Sequence, residues 1–272
     1  MIISSNLAAQ ASSNDLTKTS AALSKSLSKL SSGSRIVNAF DDAAGLAISM
    51  RFDAKIERAN AAKDNVSNAQ SFANTQDGYL KRVAKTLNRM SELAMLSLDG
   101  TKSNADRDLY NNEFVQLKSY ITDIATKEFN GVSLFSAANL ESVIDSEGTT
   151  FSMTGINLGS TSTTYNAVTQ SSTDIATTGT ATTALSNIRN AINQLAADRA
   201  QVGANQSRLN MAADYLAATI ETFSAATSSI KDVNVATEST EFSKQNILNQ
   251  STTAMLAQAN QLPQGVLRLL PS

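Results

Sequence analysis

The sequence predicts a mainly α protein: an elongated antiparallel helical coiled-coil rod carrying small β-hairpins. Three observations carry that expectation. Only two prolines interrupt 272 residues, so very long helices are permitted. Aromatic residues make up 5% of the chain and tryptophan is absent, which leaves few large side chains to fill a wide globular core. Apolar residues also recur every seven positions in both halves of the chain, the period of helices packed along a common seam.

At the N-terminus, residues 3–30 hold Ile3, Leu7, Leu16, Leu23, Leu27 and Leu30 among many Ser and Ala. This is an amphipathic helix with a thin apolar stripe. Next comes the first strong heptad run: Phe52, Ala59, Val66, Ala73, Leu80, Leu87 and Ala94, with Ile56, Val83 and Met90 on a second stripe. Asp41-Asp42 stands where a carboxylate caps the first free N–H groups of that helix, and Asp99-Gly100 where a left-handed glycine is expected to end it. Tyr110, Phe114, Leu117, Ile121 and Ile124 step by four and three and predict a third helix. Glu128-Phe129-Asn130-Gly131 then reads as a turn, since Asn-Gly suits positive φ.

Beyond residue 132 the period changes. Thr149–Met153 and Ile156–Leu158 alternate apolar with polar between glycines, predicting short hairpins. Residues 160–183 are mostly Ser and Thr, which reads as a solvated loop, or more sharply as a site of O-glycan attachment. The second heptad run is unbroken: Ile188, Leu195, Val202, Leu209, Leu216, Phe223 and Ile230. Its companion stripe mixes Leu185, Ile192, Ala213 and Ile220 with Arg199, Gln206 and Thr227. The C-terminal stretch, residues 242–270, carries Leu248, Met255, Ala259, Leu262, Val266 and Leu269, and has no acidic residue after Glu241. Each terminal helix buries too little apolar area to offset its ordering entropy alone, so each requires the other or a neighbouring subunit. A polar back almost free of charge suits packing against copies of itself.

Composition excludes several function classes. With no histidine and no cysteine there are no disulfides, zinc fingers or His-dependent triads, and neither a cofactor nor a metal is expected. Twenty-two basic against 24 acidic residues give no positive field to attract nucleic acid. No apolar run reaches the ~18–20 residues of a membrane span, and the N-terminus lacks the pattern of a secretory signal. No catalytic constellation stands out, so an enzyme is not expected. Asp41 and Asp42 point about 100° apart on a helix and suit a cap, not an acid/base pair. Arg35 and Arg51 near a helix start read as ion-pairing residues or, less simply, as an anion site.

Several motifs in fixed order carry a family resemblance. Leu30-Ser31-Ser32-Gly33-Ser34-Arg35-Ile36, Asp41-Asp42-Ala43-Ala44-Gly45-Leu46-Ala47-Ile48, Glu92-Leu93-Ala94, Glu128-Phe129-Asn130-Gly131 and Ala254–Pro263 together resemble bacterial flagellin over nearly the full length. The resemblance implies a structural subunit that polymerises into the flagellar filament, outside the cell, for swimming. The alternatives are a hook–filament junction protein and a surface-binding role. It implies an inner domain D0 from 1–43 and 235–272, a rod domain D1 from 44–136 and 184–234, and hairpins plus loop at 137–183 at the distal end where larger flagellins carry outer domains. Export would run unfolded through the flagellar channel.

The resemblance assigns Leu7, Leu16, Leu23, Leu27, Leu30, Leu248, Met255, Leu262, Val266 and Leu269 to the filament core. It assigns Phe52, Val66, Leu80, Leu87, Ile188, Leu195, Val202, Leu209, Leu216, Phe223 and Ile230 to the rod seam. Partners implied are further copies of the chain or other flagellins, hook-associated proteins, the export apparatus with a chaperone at the C-terminus, and Toll-like receptor 5. The receptor patch of the family maps onto Arg89, Glu92, Leu93 and Glu113.

Overall fold

A computed structural model describes residues 6–159 and 163–269, with the side chains from residue 262 onward not described. The elements are α1 (Leu7–Ser32), α2 (Ala43–Ser97), α3 (Asn104–Ala125), β1 (Glu128–Phe129), β2 (Val132–Ser133), β3 (Leu140–Val143), β4 (Thr150–Met153), α4 (Thr163–Thr169), α5 (Thr178–Lys231) and α6 (Val235–Leu269). The fold is mainly α, with long helices packed on one another and two small antiparallel hairpins. The chain falls into two units, residues 1–55 with 222–272, and residues 56–221.

In the first unit α1 pairs with α6. Asn6 caps α1 by accepting from Ala9 N, and Gly33 ends it at φ 67°, a left-handed conformation suited to glycine. The helices run antiparallel, because Asn6 reaches Ala259 while Ser26 reaches Glu238. The connector after α1 is tied to the end of α5. Arg35 donates its N–H to Lys231 O (2.7 Å) and its guanidinium to Ile230 O (2.7 Å), and Val233 N–H donates to Gly33 O (3.0 Å). Arg35 therefore satisfies orphan carbonyls at a helix C-terminus, where a cation is favoured. Arg51 likewise donates to Ala47 O in its own helix.

Asp42 caps α2 as expected, its Oδ1 accepting from Gly45 N–H at 2.8 Å. Asp41 has a separate role. Lys25 lies 2.6 Å away, and the Val37 and Asn38 N–H groups donate to it, so its carboxyl is held below the usual range, chiefly by the Lys25 hydrogen bond. A side chain at Gly45 would collide with the Asp42 carboxylate.

In the second unit α2 and α5 run antiparallel. Three polar pairs mark the register: Asp77–Arg199 (3.0 Å), Asn74–Gln206 (3.0 Å) and Gln70–Asn210 (2.8 Å). Arg199 and Gln206 of the α5 companion stripe thus meet partners on α2. α3 begins with a capping box, Ser103 and Asp106 exchanging hydrogen bonds. Phe114, Ile121 and Ile124 bury its inner face. Asn130 (φ 50°) and Gly131 (φ 77°) form the turn joining β1 to β2.

Three local expectations need correction. The helix α2 stops at Ser97, and Gly100 is not left-handed; Arg107 closes the end instead, donating to Ser97 O and Asp99 O. The second hairpin pairs β3 with β4, while Ile156 and Leu158 are buried without forming a strand. Most of the Ser/Thr-rich stretch is not a solvated loop. It forms α4 and then an early start to α5, where Thr177 and Thr180 cap each other reciprocally. Tyr165, Val168 and Ile175 anchor it in the core. Three apolar side chains among many hydroxyls suffice, because polar groups beneath complete the strap. Lys118 donates to Gln170 O (3.1 Å) and Thr173 O (2.5 Å), and Asn187 to Ala167 O (3.1 Å). Tyr165 donates to Asp198 at 2.6 Å.

Candidate assembly surfaces

The α1–α6 pair is built on small and polar residues. Ser26 is buried, donates to Glu238 Oε1 at 2.6 Å, and Lys29 approaches the other carboxylate oxygen at 3.7 Å. Further along, Asn249 donates to Ser20 Oγ at 2.8 Å and Asn6 to Ala259 O at 2.8 Å. These bonds fix register where apolar packing is thin, since only one pairing satisfies all three. The α6 face turned toward α1 follows Phe242, Gln245, Asn249, Leu256 and Ala259.

Of the stripe the sequence singles out on α6, that face includes Ala259 but not Leu248 or Met255. Leu248 and Met255 point outward, Met255 being 64% exposed. On α1, Leu16, Leu23 and Leu30 are half-buried, whereas Leu7 and Leu27 are exposed, at 79% and 54%. Leu262, Val266 and Leu269 lie outside the described side chains. The exposed large apolar set also includes Phe40, Met50, Val235 and Ile247, which sequence reasoning missed because no heptad passes through them. Such an exposed apolar set marks a candidate interaction surface.

In the second unit Val66, Leu80, Leu87, Ile188, Leu195, Val202, Leu209 and Leu216 are all buried. Phe52, Phe223 and Ile230 belong to the first unit and are half-buried, with the two rings 5.2 Å apart. Arg89 lies on the surface. It forms a bidentate pair with Glu113 (2.7 and 3.0 Å) and a third bond to Glu92 (3.0 Å). The pairing raises the guanidinium pKa, Glu113 acting most strongly, and lowers that of Glu113. Leu93 is buried in the core, so it is not part of this surface. The patch is one cation clamped between two carboxylates.

Among the described residues no group of acidic side chains is arranged to hold a metal, and no helix is long and apolar enough to cross a membrane. The comparisons decide what such a chain is. Residues 3–140 match the family described as the bacterial flagellin N-terminal helical region, and residues 185–270 its C-terminal helical region. The chain belongs to the bacterial flagellins.

Full-length relatives agree. The flagellar filament 30.7 kDa core protein of Treponema maltophilum is 33% identical, over 99% of this chain and 100% of its own length. Flagellin of Bacillus subtilis is 35% identical, over 99% and 100%. Flagellin of Halalkalibacterium halodurans is 37% identical over 90% and 91%. The crystal structure of Bacillus cereus flagellin superposes with a TM-score of 0.50 at 28% identity, covering 56% of this chain and 88% of that one. As a flagellin, the chain is a structural subunit of the extracellular flagellar filament. The paired terminal helices with exposed apolar stripes are its candidate assembly surface.

Proposed function

We propose that residues 1–43 and 235–272 form the inner D0 layer of the filament, and 44–136 with 184–234 the D1 rod. In this reading the residues 137–183 stand in place of outer domains. The observation that carries it is the outward position of Leu7, Leu27, Leu248 and Met255 on helices that meet each other through polar residues. Copies of the chain cover these side chains on assembly, and the burial drives polymerisation at roughly 25 cal/mol per Å² of apolar area. The protein acts as material and catalyses nothing.

The test is growth on short filament seeds, followed by electron microscopy. Met255→Asp puts a charge in the surface to be buried and stops elongation, while leaving the thermal midpoint of the second unit unchanged. Elongation at the normal rate by this variant excludes the stripe. Deletion of 262–272 stops growth in the same way if the last turns of α6 belong to the layer.

The same reading extends to further partners: hook-associated proteins at the filament ends, and an export chaperone with the export apparatus on the C-terminal helix. The Arg89–Glu92–Glu113 cluster is the surface offered to Toll-like receptor 5. It is exposed on the single chain, so receptor binding is read on monomer.

A further inference from the structure

The second unit carries an open groove of about 590 Å³ along α2, between its two hairpins. Ala69, Phe72, Phe129, Val132, Leu140 and Val143 form the apolar part of its lining, and Asn65, Asn68, Asn130, Glu141 and Ser142 the polar part. Val132 is 45% exposed there, so part of the lining lies open. A groove of this volume with walls of this kind is suited to take apolar side chains.

The same unit carries a matching ridge. Met211 and Tyr215, one turn apart on α5, are 67% and 62% exposed. They lie off the stripe of Leu209 and Leu216, which is buried in the core. Ala197 and Ala204 precede Met211 at seven-residue steps and are also exposed. A second heptad stripe therefore runs along the outer side of α5, ending in two large side chains. The Gln70–Asn210 bond sets ridge and groove at the same level along the two helices.

The geometry points to a lateral contact in which the Met211–Tyr215 ridge of one copy enters the hairpin groove of the next. Groove and ridge are different surfaces of one chain, so the contact is heterologous. It leaves a free groove at one side and a free ridge at the other, so further copies can add head to tail. A second copy is the occupant because the chain is a filament subunit, presented to its own copies at high density, and because the ridge and the apolar part of the groove lining are both open. The inference rests on the filament reading and names one contact within it.

The chain has no cysteine, so introduced pairs report on nothing else. Val132→Cys with Met211→Cys is assembled on seeds under reducing conditions and then oxidised. A ladder of covalent multimers on a non-reducing gel is expected, with each single variant remaining monomeric. Filaments of the double variant that run as monomer overturn the contact, as does dimer formation by either single variant. Independently, Met211→Asp is expected to slow elongation at least tenfold with an unchanged thermal midpoint. Normal elongation by that variant overturns the contact even if the cysteine pair does not assemble. Failure of the unsubstituted chain to elongate would instead count against the filament reading itself.

Discussion

The α1–α6 pair and the α2–α5 pair have similar architecture and opposite chemistry. Along α2–α5 the facing positions are Val66, Leu80, Leu87, Leu195, Val202 and Leu209, all buried, with polar pairs such as Asp77–Arg199 at the margin. Along α1–α6, among the described side chains, only Ser26 and Ala259 are fully buried, and the register is held by Ser26–Glu238, Ser20–Asn249 and Asn6–Ala259. Of the large apolar residues of the terminal helices, Leu7, Leu27, Leu248 and Met255 point away from the pair, while Leu16, Leu23, Leu30, Phe242 and Leu256 are half-buried. One pair spends its apolar side chains on its own core. The other leaves several of them exposed and adds hydrogen bonds worth only about 0.5–1.5 kcal/mol each. A subunit that is stable before assembly and adhesive during it needs both designs.

The sharpest way to break this comparison is a charge in the apolar pair. Leu209 is fully buried midway along α5. Leu209→Asp buries an unpaired carboxylate and removes packed methyl groups, at a cost of roughly 3–5 kcal/mol. Thermal unfolding followed by circular dichroism should show a large fall in midpoint, or no folded second unit at all. The matching change in the terminal pair, Leu27→Asp, should leave that midpoint alone and act on filament growth. If the two variants destabilise the monomer equally, the division of labour is wrong.

The next largest effect concerns the strap of residues 163–177. Tyr165 is buried and donates to Asp198, and burial, reinforced by that carboxylate, raises its phenol pKa far above the ordinary value of 10.0. The folded state thus keeps a proton that the unfolded chain releases above pH 10. The stabilisation from this bond is complete below pH 10 and is lost as pH rises beyond it. Tyr165→Phe should cost about 1–3 kcal/mol at pH 8, because the hydrogen bond is to a charged acceptor. The gap between variant and parent midpoints should narrow above pH 10. A constant gap from pH 8 to 11 would mean that the phenol ionises alike in both states.

Much of this was legible from residue spacing, and the failures share one cause. The α2 and α5 seams were readable because large aliphatic side chains recur with a strict period over many turns. On α6 two faces compete: Leu248 and Met255 on one, and Phe242, Gln245, Asn249, Leu256 and Ala259 on the other, and the expected stripe of Leu248, Met255 and Ala259 crosses between them. Sequence weight fell largely on the face that points out. The strap was unreadable for a related reason. Tyr165, Val168 and Ile175 are outnumbered by hydroxyls, and half of what holds the strap is Lys118, a charged residue that reads as surface. Its burial is workable because two backbone carbonyls take its donors, and desolvation lowers its pKa.

A moderate effect should separate the polar clasp from its surroundings. Ser26→Ala removes the donor to Glu238 and leaves a carboxylate in the α1–α6 seam with Lys29 as its remaining ion-pair partner. The expected cost is about 1 kcal/mol, felt only where α1 and α6 are paired. Hydrogen exchange should quicken in residues 20–32 and 235–245 while α2 and α5 stay protected. Uniform protection across the terminal helices would show that their register does not depend on this bond.

The smallest effect belongs to Arg89. Its bonds to Glu92 and Glu113 are short and bidentate, yet all three groups are open to solvent, where ion pairs contribute little to stability. Arg89→Ala should leave the thermal midpoint almost unmoved. What it removes is a fixed charge pattern, one guanidinium held between two carboxylates, leaving two acidic side chains facing each other across α2 and α3. A receptor reading the cation through charge-assisted hydrogen bonds should lose affinity for this monomer by roughly 10- to 150-fold, the equivalent of about 1.5–3 kcal/mol at a buried contact. Binding measured on monomer, beside elongation by the same variant on seeds, separates the two uses of the patch. Lost binding with normal elongation makes Arg89 a recognition residue. Slowed elongation with unchanged binding makes it a contact between rods, and the exposed patch would then be a third surface kept for other copies of the chain.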